Sequence, residues 1–338
     1  SHPVTGALPP FGNDKAASLN GSNEYFQASD DASLSFGNTS SDSAFSISAW
    51  IKMDDATWFP IVEKANSAAG HYEYTFRTIS DDKLYFTTWD SGVSVFETVA
   101  SDATLTGYEE EWIHVVATCD AAGESKAMKL YVNGVEVDST RTDNGTYTAM
   151  HNTAADVFVG RTTVPAGESY KYAEGAIDEV SIWSTELALS EVQELFYGTW
   201  ASAGPLGSGK GPDWLPRHSQ YSNLVSWWRF GDGPGDELDL STVVDQKGSN
   251  DLTGLNTPTL LIGPSNVITS SNPGQGAEAL SSRTDLVYAD YTLPNRSNLT
   301  ASIRNRTRIK SRFSSPGGFE TLSRGFLDPA HETFSPYN

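Results

Sequence analysis

From Ala17 to Trp183, turn-forming clusters recur roughly every 8–15 residues, and no long helical pattern comes between them. That rhythm admits short strands and little else. Phe45-Ser-Ile-Ser-Ala-Trp-Ile-Lys52 alternates, so Phe45, Ile47, Ala49 and Ile51 fall on one face of an extended segment. His71–Ile79 and Lys83–Asp90 are aromatic-rich strands on either side of the turn Ser80-Asp81-Asp82. Trp112–Thr118 and Met128–Val132 follow, the second running into Asn133-Gly134. An Asn-Gly pair between apolar strands predicts a tight hairpin, because both central positions of a type I′ turn need positive φ. Val135–Ser139 is then the return strand, and Asp156–Gly160 and Ala176–Trp183 complete the run. The pattern predicts an all-β protein, an antiparallel sandwich.

One short helix interrupts it. Leu189–Phe196 has Ser190 placed as N-cap with Gln193 three residues on, Gly198 placed to stop it, and Val192, Leu195 and Phe196 on one face. After the Gly/Pro-rich stretch Ala203–Pro216, Leu224–Phe230 reads as a strand whose adjacent Trp227 and Trp228 point to opposite faces. The turn-rich 231–264 is too short for a second sandwich, so we expect it to complete the first. This gives an N-terminal arm over 1–16, a sandwich over 17–265 and an extended basic tail over 266–338.

Charge separates the same regions. The chain carries a net −21, yet residues 277–338 hold 8 Lys/Arg against 6 Asp/Glu. An acidic body is repelled by phosphate backbones and anionic membranes, so neither nucleic acid nor membrane insertion is expected. In the tail, Arg304, Arg306, Arg308, Lys310 and Arg312 share one face if extended, an ionic strip suited to docking on an acidic neighbour or another copy of the chain. Cys119 is the only cysteine, so no intrachain disulfide is possible, and it reads as a small buried hydrophobe. No apolar run approaches the ~18 residues of a membrane helix, and Ser1–Pro10 lacks the charged and apolar regions of a signal peptide.

Ser18–Tyr25, Phe45–Trp50, Trp112–Val116, Leu130–Gly134, Gly175–Trp183 and the helix at Leu189–Phe196 occur in an order that resembles the LamG-like jelly roll of the concanavalin A-like lectin/glucanase superfamily. Together with Asn223–Phe230, Val244–Asn250, Ser311–Gly318 and Ser323–Asp328, the arrangement is also similar to LamG-bearing structural proteins of marine bacteriophages. The first resemblance implies a jelly-roll sandwich. The second implies a non-enzymatic virion surface protein that forms homo-oligomers and meets other virion proteins through its tail. A secreted or cell-surface adhesin of a marine bacterium is the alternative, and a glycoside hydrolase a weaker one.

Each role asks for particular residues. Retaining hydrolysis needs two carboxyls about 5–5.5 Å apart. The nearest match to a Glu-x-Asp-x-x-Glu strand, Glu237–Val243, lacks the second Glu and sits among turns. Glu109-Glu-Glu111 alternates faces, and His114 reads as an outward-facing strand residue. The superfamily often holds a structural Ca²⁺. By that resemblance Asp178 would be its carboxylate ligand, with oxygens near Asn20 helping, unless Asp178 merely accepts a bond from a nearby backbone N–H. Glycan binding needs aromatic platforms. Trp58, Trp89 and Tyr147 are the main candidates, with Tyr72 and Tyr74 beside them.

Overall fold

The computed structural model describes residues 15–262 apart from 67–68, 91–94, 122–127, 164–169 and 198–214. The arm before Lys15 and the basic tail therefore lie outside the described residues, with Arg304, Arg306, Arg308, Lys310 and Arg312. The strands run β1 (Lys15–Asn20), β2 (Tyr25–Ala28), β3 (Phe45–Met53), β4 (Pro60–Asn66), β5 (His71–Thr78), β6 (Leu84–Asp90) and β7 (Val95–Ser101). They continue with β8 (Trp112–Cys119), β9 (Met128–Val132), β10 (Val135–Glu136), β11 (Asp138–Asn144), β12 (Val157–Val159), β13 (Arg161–Thr162), β14 (Lys171–Tyr172) and β15 (Glu174–Trp183). After the helix α1 (Leu189–Tyr197) come β16 (Leu224–Trp228), β17 (Thr242–Val243), β18 (Leu252–Leu255) and β19 (Thr259–Ile262).

These form two antiparallel sheets and a small hairpin. The helix-backed sheet has the order β10-β9-β8-β3-β15-β1-β19, with β16 also on β15, and the larger sheet the order β11-β7-β6-β5-β4-β12-β2-β18-β17. Among the described residues, β13 and β14 pair only with each other. Alternation does the sorting. Phe45, Ile47, Ala49 and Ile51 of β3 meet Tyr74, Phe76 and Phe86 of β5 and β6 in one continuous core between the sheets. Phe45 anchors it, 4.4 Å from the stacked Phe36 ring and 5.6 Å from Phe86. Cys119 is buried there, its thiol donating to Asp120 O.

The opposite face of β3, β8 and β15 is covered as well. Trp183, Trp227, Val192 and Leu195 form a second buried cluster under α1, and Trp50 and Phe196 belong to a third. The paired tryptophans divide as alternation requires: Trp228 enters the main core and Trp227 the cluster under the helix. The segment after α1 thus completes the same sandwich. β16 pairs with Val180–Trp183 of β15, β18 joins β2, and β19 joins β1.

Three local expectations change. The helix starts earlier than Ser190 suggested: Ala188 O accepts from the Glu191 and Val192 N–H groups, and Glu191 Oε1 accepts from Ala188 N at 3.0 Å. The carboxylate half of a capping box is present without its hydroxyl half. Gly198, the expected stop, lies outside the described residues. The return strand after Asn133-Gly134 is short, because at Val137 the chain leaves one sheet for the other. Val135 and Glu136 pair with β9, whereas Asp138 already faces Ser101 of β7. The turn itself is as expected, with φ of 51° at Asn133 and 77° at Gly134. Finally, β1 begins at Lys15, inside the expected arm, because Lys15 pairs with Ile262.

Candidate functional site

On the larger sheet the core takes Phe26, Val62, Tyr74, Phe76, Phe86 and Val157. Alternation therefore sends Tyr25, Phe158, Glu63, Thr75, Arg77, Thr87 and Trp89 to the outer face. The ladder lines up Phe158, Glu63, Thr75, Thr87, Thr98 and Thr142 as one cross-strand row. Toward one end of that row, Trp89 pairs with Phe96, their ring centroids 6.3 Å apart. A register shift in β4–β5 between Lys64 and Ala65 brings Tyr72 to the other side of Trp89, at 5.7 Å. Tyr72, Trp89 and Phe96 are each only partly buried. They make an aromatic strip across three neighbouring strands, outside a core that is already complete.

The other end of the face, five residues along β5 at Arg77, is built differently. Trp58 sits in the turn before β4 at φ 61°, a left-handed conformation that a bulky residue seldom adopts. Arg77 lies 5.8 Å and Lys171 5.2 Å from its ring centroid. Arg77 Nη1 donates to Thr162 Oγ1 at 3.1 Å. Burial pulls the Arg77 guanidinium down to about 10, with the Glu63 carboxylate holding it up, so it stays charged at neutral pH. Glu63 itself is 1% exposed and accepts from the Thr163 N–H and hydroxyl. Burial raises its carboxyl, opposed by Thr163, Thr162 and Arg77. Beyond the β13–β14 hairpin, Arg161 stacks on Phe158, Tyr25 and Tyr170, and Tyr172 packs against Tyr25.

The structure thus places Trp58, Tyr72 and Trp89 on one face and removes the other aromatic candidates from it. Tyr74 is fully buried and donates to Leu34 O at 2.9 Å. Tyr147 packs against the core and donates to Asp42 Oδ2 at 2.9 Å, and its phenol is raised by burial, with Asp42 adding to it. His114 does face outward from its sheet, but under α1, with Phe196 stacked on its ring at 6.0 Å. Burial lowers it to about 3, so it is neutral. Asp178 and Asn20 are not brought together. Asn20 pairs with Glu174, four residues along β15 from Asp178, or about 13 Å. Asp178 is buried, its Oδ1 accepting from Glu179 N, while Asn20 Oδ1 is taken by Ser22 and Asn23 N–H groups. No group of three or more His, Cys, Asp or Glu that could hold a metal occurs among the described residues, and Asp178 and Asn20 do not form one pair of ligands. Arg161 and its rings were missed because each lies near a strand end, and only folding brings Tyr25 and Tyr170 to Phe158. The alternation Tyr170-Lys-Tyr172 was the one signal available.

With two sheets, a helix on one and an exposed aromatic face on the other, the geometry meets an independent finding: the family described as the concanavalin A-like lectin/glucanases superfamily matches residues 20–193. The chain belongs to this superfamily. Among solved structures it is similar to a Bacteroides ovatus ATCC 8483 protein provisionally assigned to carbohydrate binding, at 18% identity over 75% of this chain and 61% of that one, with a TM-score of 0.46. It is also similar to the native heptameric SAP-like pentraxin from Limulus polyphemus, at 14% identity over 54% and 82% of the two chains and a TM-score of 0.37. A third is the binding domain of Botulinum Neurotoxin DC in complex with SialylT, at 17% identity over 48% and 37% with a TM-score of 0.34. The chain spans 61% of the first of these structures. No curated protein matches. The superfamily match ends near α1, yet β16–β19 belong to the same sandwich.

Proposed function

We propose that this domain binds a glycan on the outer face of its larger sheet and does no chemistry on it. The observation that carries the reading is the strip of Tyr72, Trp89 and Phe96, partly exposed on neighbouring strands where the core does not need it. A sugar presents an apolar ring face that stacks on such rings, and concave or flat aromatic surfaces with polar rims are where small ligands bind. The row beside it, Glu63, Thr75, Thr87 and Thr98, is itself buried, so the aromatic strip is the contact surface. The same row speaks for binding without hydrolysis. The residues directly across from Glu63 are Thr75 and Phe158, so no second carboxyl stands beside it in the row.

The wider role we propose is display. A non-enzymatic domain followed by a basic C-terminal segment suits a virion surface, with Arg304–Arg312 docking on an acidic neighbour. Co-purification with virions, lost when those five basic residues are neutralised, would support that placement. The glycan reading is tested on a glycan array with the whole chain. A signal that Trp89→Ala or Tyr72→Ala reduces about five- to tenfold is expected, since a lost aromatic stack of about 1–1.5 kcal/mol is about that factor. A blank array, or a signal indifferent to both substitutions at unchanged melting temperature, would sink it.

A further inference from the structure

The hairpin end of the face narrows the ligand, on the condition that the glycan reading above holds. The Arg161 guanidinium lies 3.8 Å from the Phe158 ring centroid, 4.6 Å from Tyr170 and 4.7 Å from Tyr25. Rings on several sides hold the fork in one orientation. The residue is 9% exposed, and its Nε is buried without an acceptor. Its terminal nitrogens are not among the buried atoms, and no described residue accepts from them or forms an ion pair with the charge. The condition repeats across the hairpin. Arg77 Nε is also buried without an acceptor, and Thr75 Oγ1, next to it on the same face of β5, is buried with no partner. Lys171 forms no ion pair with a described residue.

Buried donors are nearly always met by protein or water, so a cluster of unmet ones calls for an explanation. Charge supplies the second half of the argument. In a chain of net −21, Arg77, Arg161 and Lys171 gather around one hairpin. The one carboxylate on the adjoining row, Glu63, gives its oxygens to Thr163 and its charge to Arg77, and pairs with neither Arg161 nor Lys171. A guanidinium fixed by flanking rings matches the planar, two-oxygen edge of a carboxylate or sulfate. A neutral hydroxyl would fill a donor but gain nothing from the charge. The five residues from Tyr72 to Arg77 span about 16 Å of β5, comparable to the length of a short oligosaccharide reaching from the aromatic strip to the cations.

We propose that the β13–β14 end of the face recognises an acidic group, carboxylate or sulfate, on the saccharide that stacks along Trp89 and Tyr72. Arg161 is the anchoring residue, and Arg77 and Lys171 supply the surrounding positive field.

The test is calorimetry of the whole chain with a short oligouronate, a sulfated oligosaccharide and a neutral oligosaccharide of equal length, at low and high salt. At least one acidic probe is expected to bind more tightly than the neutral one, with affinity falling as salt rises. Which acidic probe wins tells carboxylate from sulfate. Arg161→Gln should cost the acidic probe about tenfold or more and leave the neutral one unchanged. Lys171→Gln should cost less. Arg161→Lys, which keeps the charge and loses the fork, should fall between, and it serves if the Gln variant fails to fold. Equal affinity for acidic and neutral probes, or indifference to all three substitutions, overturns the acidic class and leaves the glycan reading standing. Failure of every saccharide to bind overturns both.

Discussion

Two carboxyls inside the sandwich set how stability responds to pH. Glu73 is buried against Lys64, 3.9 Å away, and accepts from Ser35 and Thr153; burial still raises it from an ordinary 4.5 to about 7. Asp42, which accepts from Met150 N and Tyr147, rises to about 6, again chiefly by burial. A group whose folded pKa lies above its unfolded one holds extra protons in the folded state between the two values. Its stabilisation is full below the lower value and is lost as pH climbs through the higher. For Glu73 the window runs from 4.5 to about 7 and is worth on the order of 3 kcal/mol. Relative to Glu73→Gln, the wild-type melting temperature should therefore fall between pH 5 and pH 8, while buried His114, lowered to about 3, pulls the other way below pH 6.5 in both proteins. An equal slope in the variant would contradict the assignment. These buried charges also explain which strands were hard to read. β4 carries Glu63 and Lys64, and β7 carries Glu97, all at 5% exposure or less. Their charges break the apolar alternation that made β3 plain, and their partners lie far away in sequence, Thr163 for Glu63 and Asp30 for Lys64.

Among the elements, β15 bears the most. It pairs with β3 along one edge, while β1 and β16 share the other end to end. Where β1 gives way to β16, β15 bulges between Asp178 and Ser181, and Glu179 adopts φ 52°. Arg229 Nε meets both oxygens of Glu179 at 3.0 and 3.1 Å, and Trp227 Nε1 donates to the same carboxylate. Glu179 and Arg229 are at most 2% exposed. Removing one partner strands the other charge, so Arg229→Met should cost about 3–5 kcal/mol in denaturant unfolding. A loss below 1 kcal/mol would mean the pair is not structural. At α1 the back-bond from Ala188 N to Glu191 predicts a smaller effect, about 1 kcal/mol for Glu191→Ala. Sequence reasoning found the helix and its buried face but misplaced its start, because Ser190 is a better cap by residue type than Ala188. The chain geometry decided otherwise.

For the whole molecule, the sandwich outline from Phe45 to Trp183 was legible because strand alternation and the Asn133-Gly134 turn are local signals. The site was legible only in part. Trp58 and Trp89 stand on the proposed face, but nothing local told them from Tyr147, whose ring turns inward to Asp42. Residues 231–264 were read as turn-rich since β17, β18 and β19 are only two to four residues long. With the strand before them, which was legible, they nonetheless add Trp228, Phe230, Leu240, Val243 and Leu252 to the main core. A chain cut after Tyr221 should therefore be insoluble or bind hydrophobic dyes like an expanded state, although the superfamily match at 20–193 would be intact. Cooperative melting of that fragment near the full-length value would refute this.

The pairing of β1 with β19 sets Lys15 opposite Ile262, so the polypeptide enters and leaves the sandwich at a single point, the two backbones about 5 Å apart. Topologically the domain is a closed loop with a seam. It can be spliced into a surface turn of another protein, or sewn shut at the seam, without stretching either sheet.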